Sequence, residues 1–290
     1  MQLHKCLTAL VTPFRDGRVD ERAFQDHVEW QIASGVHGLV PVGTTGESAT
    51  LTDEEHQRVI TLCVEAAAGR VPVVAGAGSN ETVVSVKYAA HAKALGADAA
   101  LVVTPYYNKP NQEGLFRHFE AVAEVGIPIV VYNIPGRSIV DIDNATMARI
   151  SRLPNVVGVK DATGEVGRVQ AYLDQCADGF IQLSGDDETV LGYMAHGGDG
   201  VISVGSNVAP GGYAALMEAL AEGDLDRARP LNTALHGLHK SLFYDPNPAP
   251  TKYALSLLGR MEPDVRLPMV EPSEAVKGHV RDAMDRAGVL

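Results

Sequence analysis

The residue in this sequence best placed to do covalent chemistry is a lysine at the end of an apolar run. Val156-Val157-Gly158-Val159 reads as a strand buried on both faces, and Lys160 follows it directly. Asp161-Ala162-Thr163-Gly164 closes the segment as a loop. Lysine is rarely buried without a partner. An ammonium at the mouth of such a strand pairs with a carboxylate, snorkels to water, or gives up its proton. The last case makes a nucleophilic amine, the species that forms Schiff bases with carbonyl substrates. Asp161 is the obvious carboxylate for the bland alternative. Tyr132 ends the preceding apolar run, and a phenol beside an amine can shuttle protons during imine formation. Taken alone, Tyr132 reads as an aromatic with a satisfied hydroxyl.

Other residues with chemical potential fall in similar places. In Gly43-Thr44-Thr45-Gly46-Glu47-Ser48, two glycines would let backbone approach a small ligand closely. Hydroxyls and backbone N–H groups ahead of a helix suit a carboxylate. The same turn also reads as an ordinary strand-to-helix connection with threonine caps. It is no nucleotide loop, since no Gly-Lys-Thr or Gly-Lys-Ser follows, and Gly76-Ala77-Gly78-Ser79-Asn80-Glu81 lacks the last glycine of a dinucleotide fingerprint. Arg137, five residues after Tyr132, can take a carboxylate bidentately or stand as a surface arginine. Metal chemistry has little support. Only His236 and His239 show helical i,i+3 spacing, and they lie far along the chain; Asp186 and Asp187 read as structural. No Gly-x-Ser-x-Gly elbow marks a serine hydrolase. No cofactor and no metal is expected.

These residues stand at the ends of regularly repeated elements. Apolar runs occur at 7–12, 38–42, 71–75, 99–104, 127–133, 156–160, 180–184 and 200–204, separated by segments that read as helices. Thr52-Asp53-Glu54-Glu55 opens one helix with an N-cap and an acidic first turn. Asn80-Glu81-Thr82 opens another, and Thr163 to Val169 a third. Eight βα units predict an α/β fold, a (β/α)8 TIM barrel, whose strand C-termini carry the chemistry. A doubly wound sheet would normally show a glycine fingerprint after the first strand, where this chain has Thr12-Pro13-Phe14. From 224 onward helices follow without strands. The reading is a catalytic barrel over 1–223 and a C-terminal helical appendage over 224–290, packed on the barrel.

The chain has 290 residues, 46% hydrophobic and 21% charged, with a net charge of −12. That allows an ample core and, without a basic run, disfavours nucleic acid. Cys6, Cys63 and Cys176 are odd in number and far apart, as expected of thiols in a reducing compartment. Met1-Gln2-Leu3-His4-Lys5 lacks a signal-peptide pattern, and no apolar run approaches the roughly 18 residues of a membrane span. A cytoplasmic protein without a membrane partner is the expectation.

Three ordered motifs carry a family resemblance: Gly43-Thr44-Thr45-Gly46-Glu47-Ser48, Tyr132-Asn133-Ile134-Pro135, and Val159-Lys160-Asp161-Ala162-Thr163-Gly164. They resemble the pyruvate-dependent class I aldolases of the dihydrodipicolinate synthase and N-acetylneuraminate lyase superfamily. The resemblance is strongest to members that condense pyruvate with L-aspartate 4-semialdehyde in lysine and diaminopimelate biosynthesis. It implies that Lys160 forms the Schiff base, that Tyr132 is the acid and base, and that Thr44 and Tyr107 extend a proton relay, with Tyr107 supplied by a neighbouring subunit. It further implies that Thr45 and the backbone at Ile202 hold pyruvate, that Gly185 lines the site, and that Arg137 meets the semialdehyde carboxylate. A homotetramer built as a pair of dimers is implied as well. Lysine-inhibited members bind lysine at the dimer interface. This chain keeps Asn80, His56 and Tyr106 there but has Asp53 in place of a histidine and Val84 in place of a glutamate, so weakened inhibition is expected. Asp161 replaces a glutamate. The rival readings are an aldolase for a sugar acid or sialic acid, and a non-catalytic barrel that binds 2-oxo acids.

Overall fold

The expected strands form and close on themselves. The computed structural model describes residues 3–290; Met1 and Gln2, the start of the stretch read above for a targeting signal, lie outside it. The strands are β1 (Lys5–Ala9), β2 (Gly38–Val40), β3 (Val74–Gly76), β4 (Ala99–Val103), β5 (Ile129–Asn133), β6 (Val156–Asp161), β7 (Ile181–Ser184) and β8 (Gly200–Ser203). All pair in parallel, in the order β2-β1-β8-β7-β6-β5-β4-β3. A parallel bridge between Leu39 and Val73 joins the two ends of that order. The Gly76 N–H adds a bond to Pro41 O at 3.0 Å. The result is a (β/α)8 barrel.

Alternation along each strand divides the side chains between two compartments. Leu7, Val40, Val74, Leu101, Val130, Leu183 and Ile202 fill the interior. Leu39, Ala75, Ala100, Val102, Val131 and Val159 face outward into a second cluster shared with the surrounding helices. Those helices are α1 (Glu21–Ala33), α2 (Asp53–Ala67), α3 (Thr82–Ala94), α4 (Gln112–Ala123), α5 (Asn144–Ile150), α6 (Arg168–Gln175), α7 (Val190–Ala195) and α8 (Pro210–Ala221). Thr52 caps α2 as expected and forms a full capping box with Glu55.

Two local expectations need correction. Lys5, placed before the first strand, begins it. The helix expected from Thr163 starts at Arg168. The Thr163 N–H and hydroxyl both donate to Asp161 Oδ1, which holds a turn instead of a helix, and Gly164 has φ +76°. A two-strand hairpin, Phe14–Arg15 with Arg18–Val19, and a single helical turn, Pro135–Ser138, were not anticipated.

Past α8 come α9 (Leu225–Ser241), α10 (Ala249–Leu257) and α11 (Glu274–Arg286). Their apolar residues, among them Leu235, Leu238, Tyr253 and Val280, share one cluster with Cys6 of β1, Val201 of β8 and Tyr213 of α8. The C-terminal helices thus pack against the β1/β8 side of the barrel. Among the described residues, no helix is long and apolar enough to cross a membrane.

Candidate active site

Register brings the lysine and the phenol together. In the β5/β6 ladder Tyr132 lies opposite Lys160, and Asn133 opposite Asp161. Tyr132 and Lys160 are 6% and 5% exposed at the C-terminal end of the barrel. Lys160 Nζ stands 4.3 Å from the centre of the Tyr132 ring. The alternative pairing with Asp161 is not made. That carboxylate bonds Thr163 and accepts from the Tyr172 hydroxyl of α6 at 3.1 Å. Among the described residues Lys160 has no ion-pair partner, whereas the other buried lysine, Lys252, has Glu47 at 2.6 Å.

The electrostatics follow from this burial. Desolvation pushes the Lys160 pKa down to about 7; Asp187 opposes the fall and Arg137 adds to it. Desolvation pushes the Tyr132 phenol up to about 12, against the pull of Arg137 and the Thr44 hydroxyl. At neutral pH the site therefore holds a substantial fraction of free amine beside a neutral phenol. Gly185 sets the fit. A Cβ there would stand 2.7 Å from Ala162 Cβ and 3.1 Å from Lys160 Cε, so the lysine stem uses the room that glycine leaves.

A depressed lysine has a stability cost with a definite pH dependence. Below pH 7 the native state buries an ammonium that the unfolded chain solvates, and the penalty is complete. Between pH 7 and about 10.5 the unfolded chain holds more protons, so stability rises with pH, and above that range the penalty vanishes. Lys160→Met is therefore expected to raise the melting temperature at pH 6.5 by roughly 5 °C. The gain should shrink towards zero by pH 10. Thermal unfolding at both values checks this; a gain equal at both would contradict the buried-amine account.

The Gly43–Ser48 loop is latched from the far end of the chain. Thr45 is buried, and its Oγ1 accepts from Asn247 Nδ2 at 2.9 Å. Glu47 takes Lys252 Nζ at 2.6 Å on one oxygen and the Arg266 N–H at 3.1 Å on the other. Lys252 also lies 4.0 Å over the Phe14 ring. Val42 and Glu47 both sit in the left-handed region, at φ +49° and +55°, which is costly for a β-branched residue. Gly46 serves packing rather than ligand approach, since a Cβ there would meet Val42 and Leu10 backbone at 3.0–3.1 Å. Gly43 faces open space. Arg137, on the Pro135–Ser138 turn, is exposed and shares a cavity of about 280 Å³ with Thr44, Asn247, Pro248 and Met269. Ile202 lies fully buried on β8.

A buried lysine lowered towards neutrality beside a phenol, under a latched threonine loop, is the arrangement a class I aldolase needs. A family model described as the dihydrodipicolinate synthetase family matches residues 2–287. The chain belongs to that family. A family member from Rhodospirillum centenum, named 4-hydroxy-tetrahydrodipicolinate synthase, is 56% identical over 285 residues, 98% of either chain. The dihydrodipicolinate synthase of Aquifex aeolicus has the same fold with a TM-score of 0.97 at 43% identity, covering 99% of both chains. The chloride-inhibited dihydrodipicolinate synthase of Acinetobacter baumannii, solved with pyruvate, gives 0.96 at 41% identity, again over 99% of both.

The remaining expected residues lie beside the barrel mouth or on the surface of the chain. Tyr107 is 85% exposed with φ +74°, turned to the surface of the single chain. Tyr106, His56 and Val84 line a second cavity with Ser48, Ala49 and Tyr88, which also reaches Thr44 and Tyr132. His56 stacks on Tyr88 with ring centres 4.5 Å apart, and burial holds its pKa down at about 4. Asp53 is engaged by Lys87 and by the Tyr88 hydroxyl. The Asn80 carbonyl accepts from Asn108 at 2.8 Å.

Four participants were missed from sequence: Asn247, Lys252, Arg266 and His239. Nothing local in the Pro246-Asn247-Pro248 or Arg266-Leu267-Pro268-Met269 stretches points to the loop they hold. His239 of α9 lies 3.3 Å from Asp186 and 3.4 Å from Asp187.

Proposed function

We propose that the protein is a 4-hydroxy-tetrahydrodipicolinate synthase, a lyase that condenses pyruvate with L-aspartate 4-semialdehyde through a Schiff base in lysine and diaminopimelate biosynthesis. The observation that carries this is the buried, unpaired Lys160 set opposite Tyr132 in a chain more than half identical to a named synthase. The free amine adds to the ketone carbon of pyruvate, and water leaves to give an iminium. The iminium is an electron sink, so a methyl proton is lost and an enamine forms. Its carbon attacks the aldehyde of the semialdehyde. The product's own amine then displaces Lys160 as the ring closes. Each step moves a proton, for which Tyr132 is the nearest donor and acceptor, with Thr44 next to it.

Thr45 and the Ile202 backbone hold the pyruvate carboxylate, Gly185 lines the site, and Arg137 receives the carboxylate of the semialdehyde. We assign Tyr107 to the relay of a neighbouring subunit in a homotetramer and place the protein in the cytoplasm. Steady-state condensation with pyruvate and the semialdehyde tests the assignment, with sialic acid and sugar acids as competing substrates. Faster cleavage of a sugar acid would replace this reading with the other aldolase activity.

Feedback inhibition is expected to be weak. Val84 offers a lysine ammonium no charge, and Asp53 is already occupied by Lys87 and Tyr88. Half-inhibition should require at least about ten times the lysine needed for a variant carrying Val84→Glu, a difference of one charge-assisted bond. Equal sensitivity of the two proteins would refute the assignment of these residues.

A further inference from the structure

Behind the reacting lysine lies a charge cluster that the proposed chemistry does not use. Asp186 and Asp187 come one and two residues after Gly185, the position past β7 where a Cβ would crowd the Lys160 stem. Asp187 is 6% exposed. Its Oδ2 accepts the N–H groups of Val204 and Gly205 at 3.0 and 2.9 Å, while its Oδ1 is buried without a partner. His239 reaches in from α9 and sets one ring nitrogen toward each carboxylate. We propose that His239 is a positioning residue: its charge offsets that of Asp187 and so keeps that carboxylate from holding the Lys160 side chain as an ammonium. This inference rests on the Schiff-base role given to Lys160 above.

The surroundings support the assignment. The two carboxylates outweigh burial and raise the His239 pKa to about 9, so the ring is an imidazolium at neutral pH. Of the charged groups that act on Lys160, Asp187 favours the ammonium and Arg137 of the turn after β5 opposes it; the Tyr132 ring, 4.3 Å from Nζ, is uncharged. Burial, and then the charge of Asp187, raise the pKa of Cys6 of β1 and Tyr213 of α8, so both stay neutral, and a thiol or a phenol supplies no positive charge in place of His239. Lys240, next on α9, is turned to Glu188 at 3.2 Å. Among the described residues, His239 is the one cationic side chain paired with Asp187.

The test is the pH dependence of the rate at which pyruvate and cyanoborohydride label Lys160, followed by mass spectrometry. His239→Gln keeps a donor and removes the charge; its midpoint should move up by about one pH unit. Asp187→Asn should move it down, and the double variant should return near the parent value. Slower labelling of His239→Gln with an unmoved midpoint would overturn the proposal and leave His239 a purely structural group. If the parent protein itself is not labelled at Lys160, the Schiff-base reading fails instead, so the two failures are distinguishable. Should His239→Gln fold poorly, the downward shift in Asp187→Asn still tests the carboxylate's part, and its absence would sink the proposal.

Discussion

Lys160→Ala is expected to abolish condensation, with turnover down by at least about 10⁴-fold, the scale seen when a covalent nucleophile is removed. The loss should be in covalent capture and not in folding. Alanine removes a buried amine that has no ion-pair partner among the described residues, so no carboxylate is left exposed to the core. Borohydride reduction in the presence of pyruvate should add the mass of one reduced adduct to the parent protein and none to the variant. Lys252 is the internal control: it is equally buried, but its ammonium is bonded to Glu47 and the Asp264 carbonyl. An adduct on Lys252, or an adduct persisting in Lys160→Ala, would contradict the assignment.

Tyr132→Phe should lower turnover by about 10²- to 10⁴-fold, the usual worth of a positioned acid or base. The substitution keeps the ring against which Lys160 Nζ rests at 4.3 Å, so the lysine should hold its place. The loss should therefore appear mainly in kcat, with a smaller change in KM for pyruvate. Trapping of pyruvate should slow yet still reach one adduct per chain. Because the phenol is pushed up to about 12, no tyrosine ionisation should appear in the parent's pH–rate profile below pH 10. Activity of Tyr132→Phe within about threefold of the parent would remove the phenol from the proton path.

Much of this architecture could be read along the chain because its signals are local. Valine-rich runs with polar ends gave eight strands, and Thr52 with Glu55 marked a helix start to the residue. Ladder register then placed Tyr132 opposite Lys160, as neighbouring strands in a barrel require. The helix expected at Thr163 failed because Asp161 competes for the same backbone, a contest that propensity alone does not decide. The spacing of Gly43 and Gly46 suggests ligand approach, whereas the missing Cβ of Gly46 serves Val42 and Leu10, which only the packed loop reveals. The latch was illegible for another reason. Glu47 and Lys252 are 205 positions apart, and a charged pair buried across that separation leaves no trace in spacing. His239 carries no local signal because its partners, Asp186 and Asp187, lie on a different element.

The latch also carries a consequence for the order of synthesis. A ribosome releases Tyr132 and Lys160 long before Asn247, Lys252 and Arg266, on which the Thr44–Thr45 loop depends. Until those residues emerge and dock, Thr45 lacks its Asn247 donor and Glu47 lacks both of its partners. The bonds that fix the Thr44–Thr45 loop therefore form only after Arg266 has left the ribosome, more than 100 residues behind Lys160.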